Sequence, residues 1–251
     1  MEKFLNIKIN LSQFYVLPRA ETKFWVKKVI KEIKQTTNNR RLTTNNKQQA
    51  LQSPVLEKQL PPMAEKERQK PKVSGVGVGG LLVLDLFSGT GFIGIAILKD
   101  CPEFCRRVDF GDIDKKALQQ IKINLKLNKI SLKRVKIIQT DIFSGIKGKY
   151  DLILANPPYV AKERLGEVQL SVKKYEPKTA WYGKKGGLFY IEKFLSKAKN
   201  FLKENGIIYL EIDTQQKRSV ENLLRKYNYS EFTFGKDQFG KYRWVKIIKT
   251  P

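Results

Sequence analysis

Apolar positions change their spacing several times along the chain, and each change marks an element. In FLNIKINLSQFYVL, residues 4–17, apolar and polar positions alternate until the pattern breaks near Asn10 to Gln13. Alternation of period two predicts a β-hairpin there. Glu21 to about Lys34 carries Phe24, Val26, Ile30 and Ile33 at mixed helical spacing after Pro18, which predicts a helix. Residues 35–80 are polar, proline-punctuated and poor in aromatic residues. Such a segment buries too little surface to offset its ordering entropy, so it is expected to be a disordered insertion or linker, with a short helix around residues 55 to 60.

From residue 81 the pattern becomes regular. LLVLDLF (81–87) suits a central parallel strand, and GFIGIAILKD (91–100) reads as the helix after it. Strand and helix repeat in RRVDFGDID and DKKALQQIKINLKLN, then in RVKIIQTD and its short sequel, with YDLILANPP (150–158) as the fourth strand. A loop, a helix near Gly186 to Lys203, the strand GIIYLEID and a helix near Gln215 to Tyr227 follow. YSEFTF and KYRWVKII, joined by GKDQFG, are expected to pair antiparallel. Strands alternating with helices predict an α/β fold, a doubly wound, mostly parallel seven-stranded Rossmann-like sheet with an antiparallel last strand and ligands at the carboxyl ends of its strands. The domain division is a hairpin and helix over 1–34, the insertion over 35–80 and the catalytic domain over 81–251.

Composition narrows the chemistry. The chain has 251 residues, and its 41% apolar content is enough for a core. No apolar run approaches a membrane span and the N-terminus lacks the apolar block of a signal peptide, so a soluble, cytoplasmic protein is expected, and a monomer. There is no histidine, and Cys101 and Cys105 are the only cysteines. Usual zinc sites, a disulfide framework and imidazole-assisted nucleophiles are thereby excluded, and no metal is expected. The net charge of +25 would favour RNA, a ribosome or an acidic protein surface, although the lysines are scattered and form no single basic block.

Two glycine runs compete for a cofactor. GVGVGG (75–80) precedes a strand and reads as linker, whereas DLFSGTGFIG (85–94) lies between a strand and a helix, where Gly89 and Gly91 allow a tight turn and close backbone approach. Asp112 ends the second strand about 20 residues further on, in the position of a carboxylate that accepts both ribose hydroxyls. Asp109 is its rival but lies inside the strand. Asp141 ends the third strand and can accept from an adenine amino group, with Ile113 and Ile142 as apolar walls, so an adenosine is implied. Asp85, just before the turn, would repel a pyrophosphate but could accompany an α-ammonium group. The pattern DLFSGTG resembles motif I of class I S-adenosylmethionine-dependent methyltransferases. That resemblance implies S-adenosylmethionine as cofactor, held by Asp85, Phe87, Ser88, Gly89, Thr90, Gly91, Asp112, Ile113, Asp141, Ile142 and Asn156; NAD is the alternative.

The fourth strand ends in NPPY (156–159). A planar nitrogen is a poor nucleophile, but Asn156 Oδ1 and the Pro157 carbonyl can accept its two hydrogens and align it with a methyl donor. Pro157 and Pro158 stiffen the backbone and Tyr159 can stack on the flat group. The plainer reading is a turn after a strand.

NPPY serves methyltransferases of adenine N6, guanine N2 and glutamine alike. VLPRAET (16–22), VKKYEPKTAWYGKKGGLFYIEKF (172–194), LEIDTQQ (210–216) and KDQFGKYRWV (236–245) make the chain similar to the HemK/PrmC family, the N5-glutamine methyltransferases of peptide chain release factors. The resemblance implies methylation of the glutamine in a Gly-Gly-Gln loop, bound by Asn156, Pro157, Pro158 and Tyr159. It gives Arg19, Glu21 and Thr22 a place in the site's roof, where the residues alone read as a helix N-terminus, and lets Glu176 and Pro177 brace the NPPY loop. The family's N-terminal helical domain is expected to be absent, and the 35–80 insertion is a second departure. An RNA or DNA amino-group methyltransferase is the alternative function, and a protein that holds the cofactor without catalysis is a third.

Overall fold

The computed structural model describes residues 2–52 and 80–250. Strands β1 (Glu2–Phe4) and β2 (Ile7–Ile9) form the hairpin, but its turn is Leu5–Asn6, with Leu5 at φ 51°, and not Asn10 to Gln13. Burial explains the difference: Phe4, Ile7 and Ile9 all enter the core, and that fixes the register. From Lys8 in β2 onward the chain is bound through its backbone by side chains of helix α3 (Lys115–Leu127) and its C-cap, and after Ile9 it runs on as a strap. Asn128 Oδ1 accepts from Lys8 N at 2.9 Å, Asn124 Oδ1 from Asn10 N at 2.7 Å, and Gln120 Oε1 from Gln13 N at 2.7 Å. Amides four residues apart share a helix face, so they make one buried polar stripe.

Helix α1 runs from Ala20 to Gln52. Residues 35–52, expected to belong to a disordered insertion, are therefore helical. The helix is anchored by buried Trp25, Val26, Val29 and Ile33, and extending a formed helix needs no new nucleus. No glycine or proline interrupts it before Pro54. The expected short helix near 55–60 and most of the GVGVGG run lie outside the described residues.

Seven strands form one sheet: β3 (Leu81–Leu86), β4 (Cys105–Asp112), β5 (Val135–Gln139), β6 (Tyr150–Ala155), β7 (Leu202–Glu211), β8 (Glu231–Lys236) and β9 (Tyr242–Ile248). Their order is β5-β4-β3-β6-β7-β9-β8, with β9 antiparallel to both neighbours and all other pairings parallel. Side chains alternate across the sheet as period two requires. Val83, Val108 and Leu152 face α1, α2 (Phe92–Asp100) and α3, whereas Leu84, Ile153 and Ile208 face α5 (Phe189–Ala198) and α6 (Lys217–Lys226). α5 stops earlier than the sequence pattern predicts, because Leu202 already pairs with Tyr150 at the start of β7. The order reverses between β3 and β6, which opens a crevice beyond the carboxyl ends of the strands.

Candidate active site

That crevice is a cavity of about 460 Å³. Its walls are the segments that follow β3, β4, β5 and β6, and the strap supplies Phe14, Val16, Leu17 and Arg19 from above. Phe87, Ser88, Gly89, Asp112, Ile113, Asp141, Ile142 and Asn156 to Tyr159 all line it.

The glycine turn is built by its own backbone. Gly91 donates to the Ser88 carbonyl at 2.7 Å, and the Ser88 hydroxyl bonds the Gly111 carbonyl at 2.8 Å. Gly89 at φ 53° and Gly91 at φ 79° occupy the left-handed region that glycine tolerates. Phe87 at φ 56° and Ile142 at φ 57° do so without being glycine, and both line the cavity. Non-glycine residues held in this region cluster at functional sites.

Asp112 ties two turns together: Oδ2 accepts from Gly89 N at 2.8 Å and Oδ1 from Asp114 N at 3.0 Å. Burial pushes its pKa up against the pull of those N–H groups. A carboxylate offers about four acceptor sites, so both oxygens retain capacity toward the cavity. Exposed Ile113 and buried Ile142 both line the cavity with apolar surface, as does exposed Asp141 with its carboxylate. Asp109 is excluded as the rival, because it is buried against Arg107 at 2.6 Å and the Tyr150 hydroxyl at 2.9 Å, outside the cavity lining.

Asp85, Thr90 and Gly91 are not in the cavity wall. On β3, Asp85 shares the face of Val83 and is fully buried toward α2. Its Oδ2 accepts from Gly94 N at 2.9 Å, and burial pushes its pKa well up. Asp85 Oδ1 and Thr90 Oγ1 are buried without a hydrogen-bond partner among the described residues. The carboxylate expected to meet an ammonium group thus holds the start of α2 from below.

The Asn156 side chain, half-buried at the cavity, has no hydrogen-bond partner among the described residues, while Pro157 and Pro158 are buried. The backbone beyond them is fixed from three sides. Gln216 Nε2 donates to the Tyr159 carbonyl at 3.0 Å, Val160 N donates to the Trp181 carbonyl at 2.8 Å, and Gly183 N donates to the Val160 carbonyl at 2.9 Å. A Cβ on Gly183 would lie 2.7 Å from the Pro158 carbonyl oxygen, so only glycine permits this approach. The signal for this close approach in the sequence is the three glycines of AWYGKKGG (180–187).

Glu176 is placed differently from expectation. It accepts from Arg19 Nη2 at 2.6 Å and from Leu17 N at 3.4 Å, so it ties down the strap and not the NPPY loop, which Gly183, Gly187 and Gln216 brace instead. Pro177 precedes the short helical turn Lys178–Ala180, whose last N–H its carbonyl accepts at 2.9 Å. Arg19 and Glu21 reach the cavity, but Thr22 is buried, its hydroxyl donating to Glu211 Oε2 at 2.7 Å. Among the described residues there is no cluster able to hold a metal ion, and no helix long and apolar enough to cross a membrane.

Comparison with known proteins places this geometry. A family model for the methyltransferase small domain matches residues 80–173, from the glycine turn past NPPY. A release factor glutamine methyltransferase of Thermodesulfovibrio yellowstonii is 30% identical over 249 residues, covering 98% of this chain and 73% of that protein. The chain belongs to the release factor glutamine methyltransferase family. Its relative in Streptococcus pneumoniae is 35% identical over 168 residues, covering 66% of this chain and 58% of the relative. The chain therefore spans about three fifths of the length of that protein. In fold it is similar to a crystal structure of a methyltransferase from Pyrococcus furiosus, with a TM-score of 0.51 at 19% identity, covering 69% of this chain and 77% of that one.

Proposed function

We propose that this chain transfers a methyl group from S-adenosylmethionine to the side-chain nitrogen of the glutamine in the Gly-Gly-Gln motif of a peptide chain release factor. One observation carries the reading: an amide, Asn156, with no hydrogen-bond partner among the described residues, stands at the end of β6 between a glycine turn and a backbone locked by two prolines. The residues present fit the cofactor. Asp112 retains acceptor capacity toward a ribose, and Ile113 and Ile142 offer apolar surface to a flat ring. S-adenosylmethionine, when bound, supplies an activated methyl group.

The chain's own part is to hold the acceptor. Asn156 Oδ1 and the Pro157 carbonyl accept the two N–H groups of the glutamine amide, which points the nitrogen lone pair toward the donor side. Transfer would break the methyl–sulfur bond, leaving a neutral thioether, and would place positive charge on the glutamine nitrogen, which the same two oxygens would stabilise until a proton leaves to water. The pocket needs no strong base, in keeping with a chain that has no histidine. The lysine-rich surface supports contact with an acidic face of the factor or with ribosomal RNA, in which case KM rises with ionic strength.

The test is a methyl-transfer assay offering purified release factor, its Gln-to-Ala variant and bulk RNA. Label on the factor that disappears with its glutamine is expected; label on RNA alone would overturn the reading.

A further inference from the structure

Glu211 ends β7 in full burial, and among the described residues no cation pairs with it. Its partners are three neutral donors. Oε2 accepts from Thr22 Oγ1 and from Trp25 Nε1, each at 2.7 Å, and Oε1 accepts from the Tyr159 hydroxyl at 3.3 Å. A glutamine there could keep Thr22 and Trp25 on its carbonyl oxygen only by donating its NH₂ group to the Tyr159 hydroxyl, which reverses that bond, whereas a carboxylate accepts all three. Removing an ion from water without a counter-ion is costly, and packing α1 onto the sheet does not require it, since Val26, Val29 and Ile33 already do that with apolar surface.

The register shows what the carboxylate reaches. Ala155 on β6 pairs with Leu210 on β7, so one residue further along each strand stand Asn156 and Glu211. Tyr159 is three residues beyond Asn156, and the two residues between have ring-locked φ angles. The Tyr159 hydroxyl is thus anchored at the far end of a short, stiff segment whose near end carries Asn156 and the Pro157 carbonyl. We infer that Glu211 is a positioning residue for methyl transfer, which fixes Tyr159 and through it the Asn156–Pro157 acceptor pair against the Thr22–Trp25 turn of α1. This rests on the function proposed above. It also gives Thr22 a role that the sequence pattern alone did not supply.

The test is a double-mutant cycle on the full chain, with kcat on release factor, Kd for S-adenosylmethionine and the thermal midpoint read for each variant. Glu211→Gln is expected to lower kcat at least tenfold with Kd changed less than threefold. Tyr159→Phe cuts the same link and should lower kcat by a similar factor, and the double variant should match either single variant within twofold. Should Glu211→Gln fail to fold, Thr22→Val takes its place in the cycle with the same pattern expected. Single-variant losses that multiply in the double variant, wild-type kcat in Glu211→Gln, or a loss of cofactor affinity equal to the loss of kcat would each overturn the inference while leaving the proposed function standing. Failure of the unmutated chain to label the factor would overturn both.

Discussion

A Cβ placed on Gly187 would lie 2.1 Å from the carbonyl oxygen of Tyr159. The glycine also sits at φ 70°, and the Gln216 side-chain amide that bonds this carbonyl would be 2.6 Å from the same Cβ. Gly187→Ala must therefore push the NPPY loop away from its brace. It should cost about 1 to 3 kcal/mol of stability and lower kcat at least tenfold, while cofactor affinity changes little. Denaturant melts with single-turnover rates and calorimetric titration check this; an alanine variant with unaltered rate would show that the loop does not need the brace.

Asn156→Ala should separate chemistry from folding. Because its amide has no internal partner among the described residues, removing it leaves no group unsatisfied, and stability should move by less than about 0.5 kcal/mol. The rate should fall by about two to three orders of magnitude, the usual effect of deleting a preorganised polar group that meets developing charge. Cofactor titration in parallel with initial rates decides; affinity lost in step with rate would move Asn156 from the acceptor to the cofactor.

Asp112→Ala predicts the opposite division. The change removes the acceptor for the Gly89 and Asp114 N–H groups, which should cost about 1 to 3 kcal/mol. Affinity for S-adenosylmethionine should fall at least tenfold, with the rate at saturating cofactor affected less. Binding titrations of the variant at several cofactor concentrations test both halves of the statement.

The two cysteines give the fold an alkaline limit. Both thiols are free and buried, and burial pushes Cys101 up to about 11 and Cys105 up to about 12, with nearby Lys34 and Arg134 respectively pulling the other way. A group with a raised native pKa keeps its proton longer in the folded state, so stability is full below the ordinary thiol value near 9 and declines as pH rises from there toward 11 to 12. Buried Tyr150 and Tyr229, whose pKa values are likewise pushed up by burial, steepen the decline above pH 10. Urea midpoints at pH 8 and 10.5 should differ less in a Cys101→Ala, Cys105→Ala variant than in the parent, and the native thiols should resist alkylation at pH 8.

Much of the sheet was legible because its strands are short apolar runs punctuated by turn residues. The strand from Leu81, the glycine turn and the end of the fourth strand at Asn156 stand where the pattern puts them. Two errors share a cause. Polar residues interrupt the alternation at Asn10 to Gln13 and so mimic a hairpin turn, but they meet the amide stripe of α3 instead, a contact more than 100 residues away in sequence. Composition places the end of the helix after Pro18 near Lys34, whereas an anchored helix can run on through residues of middling propensity. Asp85 shows the same limit at the site, since its spacing from the glycines is right while its strand face turns it under α2.

By itself the sequence determined the alternation of strands and helices, the glycine turn, Asp112 at the end of the second strand and Asn156 at the end of the fourth, because each depends on residues close together in the chain. Tertiary structure alone decided what holds them. Glu211 meets Thr22 and Trp25 from 186 residues away or more, Glu176 meets Arg19 across 157, and Gly187 fits under Tyr159 only once β6 and β7 lie side by side. Local spacing encodes the backbone period of an element. Which buried acceptor faces which donor is fixed only when the packed elements exclude water, and unpaired polar groups become too costly to keep.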